Sequence, residues 1–221
     1  MYTLAFDTTA AGCAIALFED ENCIDCFMQE MDFGQAETLL PEIENILKRN
    51  ELVFNQINLL VVCVGPGSFT GVRSSISAAR AFGLACPQLE VLGVNAFEAY
   101  VRSLIRTPEQ IGQINAVIIE TKREDFYYQL FDEKLKPVGV PAAANREEII
   151  ALLQRKKVTF LGDGVERFLS SPTGLSLNAI LSSKGLDIKE LTLCGINKYR
   201  KKEHNYPKPL YLRAPDVCVK A

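Results

Sequence analysis

The sequence predicts an α/β protein of two lobes, each a mixed sheet flanked by helices, and three observations carry the prediction. Residues 59–64, LLVVCV, are a continuous, β-branched apolar run of strand length, which reads as a strand buried on both faces. The run breaks into the corner GPG at 65–67 and then into a helix of small residues over 70–85. An N-terminal hairpin whose first strand ends in an acidic corner at Asp7 is echoed in the second half, where an apolar strand ends in Glu120. With 221 residues, 48% of them hydrophobic, the chain can bury such cores without disulfide staples. The expected lobes are 1–105 and 106–221, with the C-terminal tail packing back on the first.

Residues 3–8 and 13–18 are the strands of the first hairpin. Asp7, Thr8 and Thr9 lie in its loop, where short hydroxyls and carboxylates either cap the turn or face a phosphate and its metal. A third strand is expected over 22–29, after the charged turn at 19–21. It carries Cys23 and Cys26, but residues three apart on a strand point to opposite faces and no second pair completes a metal site, so neither redox nor zinc chemistry is expected of them. Ala36, Leu39, Leu40, Ile43, Ile46 and Leu47 then follow helical spacing, with Lys48 and Arg49 placed to favour the C-terminal dipole. Pro41 fits a helix in its first turn, which puts the start near Thr38.

At the corner, Gly67 is the residue free to take a positive φ, Pro66 fixes its own φ, and Ser68 or Thr70 caps the helix. That helix has two small or apolar faces. One belongs on the sheet, and the other admits a second helix, either within the same lobe or from another subunit. The loop is not a Walker A, since Gly71 is followed by Val72 and Arg73, and its glycine spacing departs from the dinucleotide fingerprint. Further on, 91–94 reads as a strand, 96–105 as a helix stopped near Thr107 and Pro108, 116–120 and 126–131 as a hairpin closed by 121–125, 146–154 as a helix, 158–161 as a strand entering Gly162, Asp163 and Gly164, and 165–169 as a helix start. Residues 170–186 show no clear period. The tail, 207–217, holds three prolines and should run extended.

A net charge of −3 gives no footprint for nucleic acid over the chain as a whole, so any RNA link is expected to be indirect. Lys198, Arg200, Lys201 and Lys202 read as a solvated surface turn. The single histidine, His204, precludes a two-histidine metal site, and seven cysteines in odd number read as reduced thiols. No apolar run approaches the roughly 20 residues of a membrane span, and the N-terminus lacks the features of a signal peptide. The expectation is a soluble, cytoplasmic protein with no membrane association.

The segments DTTAAGCAIAL at 7–17, GQAETLLPEI at 34–43, VVCVGPGSFTGVRSSISAARAFGLA at 61–85, FLGDGV at 160–165 and PLYLRAPDV at 209–217 resemble the TsaB (YeaZ) family of the actin-like ATPase superfamily. The first three cover much of the first half, while the second half matches in fragments. The resemblance implies an actin-like ATPase (ASKHA) fold and a non-catalytic subunit needed to form threonylcarbamoyladenosine at position 37 of tRNA. It implies pairing with the catalytic paralogue TsaD, with the ATPase TsaE joining the pair, through a bundle of the two N-terminal helices. Carried onto this chain, the interface would comprise Gln35, Thr38, Leu39, Glu42, Ile43, Ile46, Gly71, Ser74, Ser75, Ala78 and Phe82. Alone, such an apolar face should self-associate as a homodimer.

The resemblance also implies that no catalytic residue, metal or obligatory cofactor resides here, with ATP or ADP conceivable at a complex interface. In VNAFEAY at 94–100, Ala96 and Tyr100 stand where the catalytic paralogue has the histidines of its HxxxH. Asp7, Thr8, Thr9, Gly162, Asp163 and Gly164 would be the vestige of a nucleotide site. Gln35 replaces a common histidine, and Glu120, Lys122 and Glu124 replace a usual Asp, Arg and Gly, which weakens the nucleotide reading. The alternative function is an ATPase, phosphotransferase or peptidase of the same superfamily acting alone.

Overall fold

Two five-stranded sheets with one strand order organise the chain. The computed structural model describes residues 1–10, 12–31, 33–203 and 205–213. The first sheet contains β1 (Tyr2–Asp7), β2 (Gly12–Glu19), β3 (Asn22–Glu30), β4 (Ile57–Cys63) and β5 (Glu90–Val94) in the order β3-β2-β1-β4-β5. The second contains β6 (Ile114–Glu120), β7 (Phe126–Asp132), β8 (Pro137–Ala144), β9 (Lys157–Gly162) and β10 (Ser176–Ser182) in the equivalent order β8-β7-β6-β9-β10. In each, an antiparallel hairpin leads and the fourth and fifth strands run parallel to the first. This duplicated mixed sheet is the actin-like ATPase fold.

The helices complete five layers. α1 (Gln35–Arg49) and α2 (Phe69–Ala85) cover one face of the first sheet, burying Leu39, Ile43, Ile46, Val72, Ile76 and Ala79 against Leu4, Phe6, Ile15, Leu60 and Val62. α3 (Ala96–Arg102) and α6 (Ile188–Arg200) fill the space between the sheets, and α4 (Arg146–Leu153) and α5 (Val165–Phe168) close the far side of the second. β4 is apolar at successive positions because it is covered twice: Leu60 and Val62 face α1 and α2, Leu59 and Val61 face α6. Burying each such side chain is worth about 1.5–3 kcal/mol.

Several expectations are corrected. α1 begins at Gln35, so Pro41 sits in its second turn; it lies on the exposed side, where the Glu37 carbonyl that lacks its N–H partner faces water. The positive φ at the corner belongs to Gly65 (95°) and not Gly67, and the Gly65–Pro66 bond is cis. Residues 170–186 contain β10, and β8 joins the sheet from a Gly- and Ala-rich segment with little strand signal. Lys198 and Arg200 are not in a surface turn but in the last turn of α6, where Lys198 pairs with Glu98 at 2.9 Å.

α6, which follows the second sheet in the chain, returns to pack on the first sheet. Ala5 and Ala16 let it approach, and a β-carbon on Gly195 would overlap the Val61 side chain. Buried Glu190 ties it to α3 through Arg102 at 2.5 Å. Residues 205–213 then run extended over the first lobe: Gly93 N–H donates to the Asn205 carbonyl, Arg80 to the Pro207 carbonyl and Leu210 N–H to the Val64 carbonyl. His204 and residues 214–217 of the tail lie outside the described residues. Among the described residues no helix is long and apolar enough to cross a membrane.

Candidate functional site: an interlobe cleft and an outer helical face

The two sheets point the C-terminal ends of β1, β4, β6 and β9 at one another across a cleft of about 660 Å³, the place where open α/β sheets bind ligands. Thr9, Gly67 and Ser68 line it from the first lobe, Glu120 and Asp163 from the second, and Tyr211 from the tail.

On the first-lobe side the turn hydroxyls are already engaged. The Thr8 hydroxyl donates to the Gly71 carbonyl at 2.8 Å and shares a 2.7 Å hydrogen bond with Ser75, which also accepts from the Thr8 N–H. The Thr9 hydroxyl donates to the Cys63 sulfur and its N–H to the Asp7 carboxylate at 2.7 Å. Gly67 and Gly71 allow this docking: a β-carbon on either would overlap the carbonyl of Thr9 or Thr8. Ser68 caps α2 by accepting from the Gly71 N–H. The GPGSFTG segment therefore packs a helix N-terminus onto a hairpin, and of the open alternatives for Asp7, Thr8 and Thr9 the geometry is that of the capped turn. Burial pushes the Asp7 carboxyl up, against the Thr9 hydrogen bonds that favour its ionised form.

The second lobe repeats the arrangement. Gly162 takes φ 115° at the end of β9, as Gly65 does near the end of β4, and the Asp163 carboxylate accepts the Glu120 N–H at 3.0 Å. Burial pushes Asp163 up to about 6, although that N–H opposes the shift. Glu120 is gripped by Arg167 through two 2.7 Å hydrogen bonds; burial alone would raise it, and Arg167 outweighs burial and holds it below the usual range. Arg213 from the tail pairs with Asp125 in the same hairpin.

Of the six residues read as a nucleotide vestige, only Thr9 and Asp163 line the cleft. Ala96 and Tyr100 do line it, from α3. Tyr100 is held as a neutral phenol by burial, which raises it well above its usual value, with Asp163 adding to the shift. Among the described residues no group of three or more His, Cys, Asp or Glu side chains could hold a metal ion.

The residues assigned to a partner interface divide into two sets. Leu39, Ile43, Ile46, Gly71 and Ser75 are buried within the first lobe and cannot face another chain; Leu39 is 2% exposed. That is a correction, and its cause is one of phase: the strongest apolar stripe on each helix is the one the sheet takes. Gln35, Thr38, Glu42, Ser74, Ala78 and Phe82 are partly exposed, though Phe82 stacks on Phe54 with ring centroids 4.3 Å apart. The outward face carries residues that sequence reasoning passed over: Ala36 and Leu40 on α1, Ser77, Ala81 and Leu84 on α2. Leu40 is 53% and Leu84 83% exposed. The signal for them was present, as small or apolar residues standing off the core phase.

Known proteins match this arrangement. The family model described as TsaD, tRNA N6-adenosine threonylcarbamoyltransferase, matches residues 34–166, more than half of the chain. The tRNA threonylcarbamoyladenosine biosynthesis protein TsaB of Buchnera aphidicola is 27% identical over 172 residues, 75% of this chain and 76% of that protein. The protein of the same name from Escherichia coli is 33% identical over 95 residues, 43% of this chain and 40% of that one. A Pseudomonas aeruginosa structure described as similar to peptidase YeaZ superposes with a TM-score of 0.81 at 21% identity, over 96% of this chain and 99% of that chain. With the duplicated sheet, the docked GPGSFTG corner and the residues matched, the chain belongs to the TsaD family and, within it, to the TsaB (YeaZ) type.

Proposed function

We propose that this chain is a non-catalytic subunit that binds and activates a TsaD-type catalytic subunit in forming N6-threonylcarbamoyladenosine at position 37 of tRNA, in the cytoplasm. The observation that carries the reading is the outer face of α1 and α2, where Ala36, Leu40, Ala81 and Leu84 leave apolar and small side chains in solvent over a lobe whose own core is buried beneath them. Small residues let a second pair of helices approach closely, and a contact of about 1,600 Å² suffices for a stable pair. The relatives' names place them in threonylcarbamoyladenosine biosynthesis, and the likeness to the TsaD family supports a pair of similar folds.

In the complex, a TsaE-type ATPase joins the pair, tRNA is met through the partner, and any ATP or ADP is held at a shared surface. Alone, the same face closes on a second copy as a homodimer. The rival reading, an ATPase, phosphotransferase or peptidase, is disfavoured by the β1–β2 turn beside the cleft: the hydroxyls of Thr8, Thr9 and Ser75 are engaged with one another, with Gly71 and with Cys63. The test is modification of adenosine in tRNA by the catalytic subunit with and without this chain. Dependence on the chain supports the reading, and full activity without it refutes it.

A further inference from the structure

Cys23 and Cys26 are three apart on β3, a spacing that on a regular strand sends side chains to opposite faces. β3 is not regular there. Pairing with β2 runs from Gly12↔Glu30 to Leu17↔Asp25, and the next pair is Phe18↔Cys23, so Ile24 is bulged out of the ladder. Cys26 stands opposite Ala16 and Cys23 opposite Phe18, and both partners belong to the sheet face covered by α6. Contacts on both faces agree: Asp25 turns the other way to hold Arg49 and Asn50 at the end of α1, whereas Cys23 packs into the cluster under α6. The extra residue thus brings the two cysteines to one face as neighbours. On a regular ladder two strand rises would hold such neighbours about 6.6–6.8 Å apart, whereas a disulfide needs β-carbons about 3.5–4.5 Å apart, so closing the bond must draw the two cysteines together through the extra residue of the bulge.

The environment differs at the two positions. Cys26 is exposed and Cys23 half-buried, both as free thiols, and Cys26 is among the groups interacting with the Cys23 thiol. Among the described residues no third ligand stands beside them to make a metal site. We propose that Cys23 and Cys26 are a reversible dithiol–disulfide pair, oxidised by a peroxide and restored by a thiol reductant.

The Cys26 thiolate attacks one peroxide oxygen; the S–O bond forms, the O–O bond breaks, and the departing hydroxide takes up a proton as water. Cys23, having lost its proton, attacks the Cys26 sulfur; the S–S bond forms, the S–O bond breaks, and a second water leaves. Two thiols are oxidised by two electrons, and the peroxide is reduced by two. Exposed Cys26 is the thiol a peroxide meets first, and half-buried Cys23 beside it is placed to resolve the sulfenic acid. The bond would clamp the bulge and hold Ile24 outside the ladder.

The test treats the whole protein, under native conditions, with hydrogen peroxide. Intact mass should fall by two hydrogen atoms, and two alkylatable thiols should vanish from the tryptic peptide ending at Lys48, both reversed by dithiothreitol. Cys13 shares that peptide but is buried, so Cys26→Ser should abolish the loss, while Cys23→Ser should leave a sulfenic acid on Cys26 that dimedone traps. Circular dichroism checks that these near-isosteric variants fold. Gain of oxygen without loss of hydrogen in the wild type, a disulfide-linked dimer in its place, or a hydrogen loss surviving in either variant would overturn the proposal.

Discussion

The Thr8 hydroxyl donates a 2.8 Å hydrogen bond to the Gly71 carbonyl, and the Gly71 α-carbon lies so close that any β-carbon there would overlap the Thr8 carbonyl oxygen. The N-terminus of α2 is thereby seated on the β1–β2 turn, and that contact helps set where α2 presents its outer face. Gly71→Ala must push the helix off the hairpin, at a cost of about 2–3 kcal/mol. Gly185→Ala, whose β-carbon would meet Ala10 at an ordinary 3.8 Å, should change stability by no more than about 0.5 kcal/mol. Urea unfolding of the two variants checks the pair.

Asp163 gives a pH signature. Burial holds its folded pKa up at about 6, above the ordinary 3.8, so the folded state binds the proton more tightly than the unfolded one. The sign follows: Asp163 favours folding most when protonated, and its contribution declines as pH rises between about 4 and 6. Asp163→Asn keeps an acceptor for the Glu120 N–H and should flatten that decline in unfolding free energy across the window. Glu120, held low by Arg167, acts oppositely and only at more acid pH, its contribution being lost as pH falls through its lowered pKa.

Much of this fold was legible because its strongest elements are locally consistent. The run at 59–64, the corner and the small-residue helix agree in period, capping and breaker residues, and both hairpins announced themselves by apolar strands ending in an acid. α6 escaped because KELTLCGINKYR mixes Thr, Cys, Gly and Asn into a helix whose glycine exists to clear Val61, a reason visible only in three dimensions. The bulge at Ile24 escaped for a similar reason: the extra residue is defined by the partner strand, so alternation read along β3 alone puts Cys23 and Cys26 on the wrong faces. At the site, the motif residues were found but their roles were not, since Thr8 and Ser75 look like ligand groups until each is seen to satisfy the other.

Leu39 and Leu40, adjacent on α1, should behave as opposites. Leu39, packed in the core, should cost about 2–5 kcal/mol as Leu39→Ala, and Leu40→Ala about 0.5 kcal/mol or less. Thermal unfolding of both, alongside a partner-binding assay, separates loss of fold from loss of contact: only Leu40 should weaken binding at unchanged stability.

The engaged hydroxyls of Thr8 and Thr9 predict that the isolated chain binds magnesium ATP no better than about 1 mM, or about 4 kcal/mol. Isothermal titration checks this. Tight, magnesium-dependent binding would restore the ATPase reading.

The outer face of α1 and α2 is proposed to hold a TsaD-type subunit. The most direct test is size exclusion with light scattering on this chain mixed with that subunit, comparing wild type with Ala81→Arg, a change at an exposed position of α2. Wild type should form a one-to-one complex, and an equally stable Ala81→Arg should leave separate species. An intact complex with Ala81→Arg, or none with wild type, would contradict it.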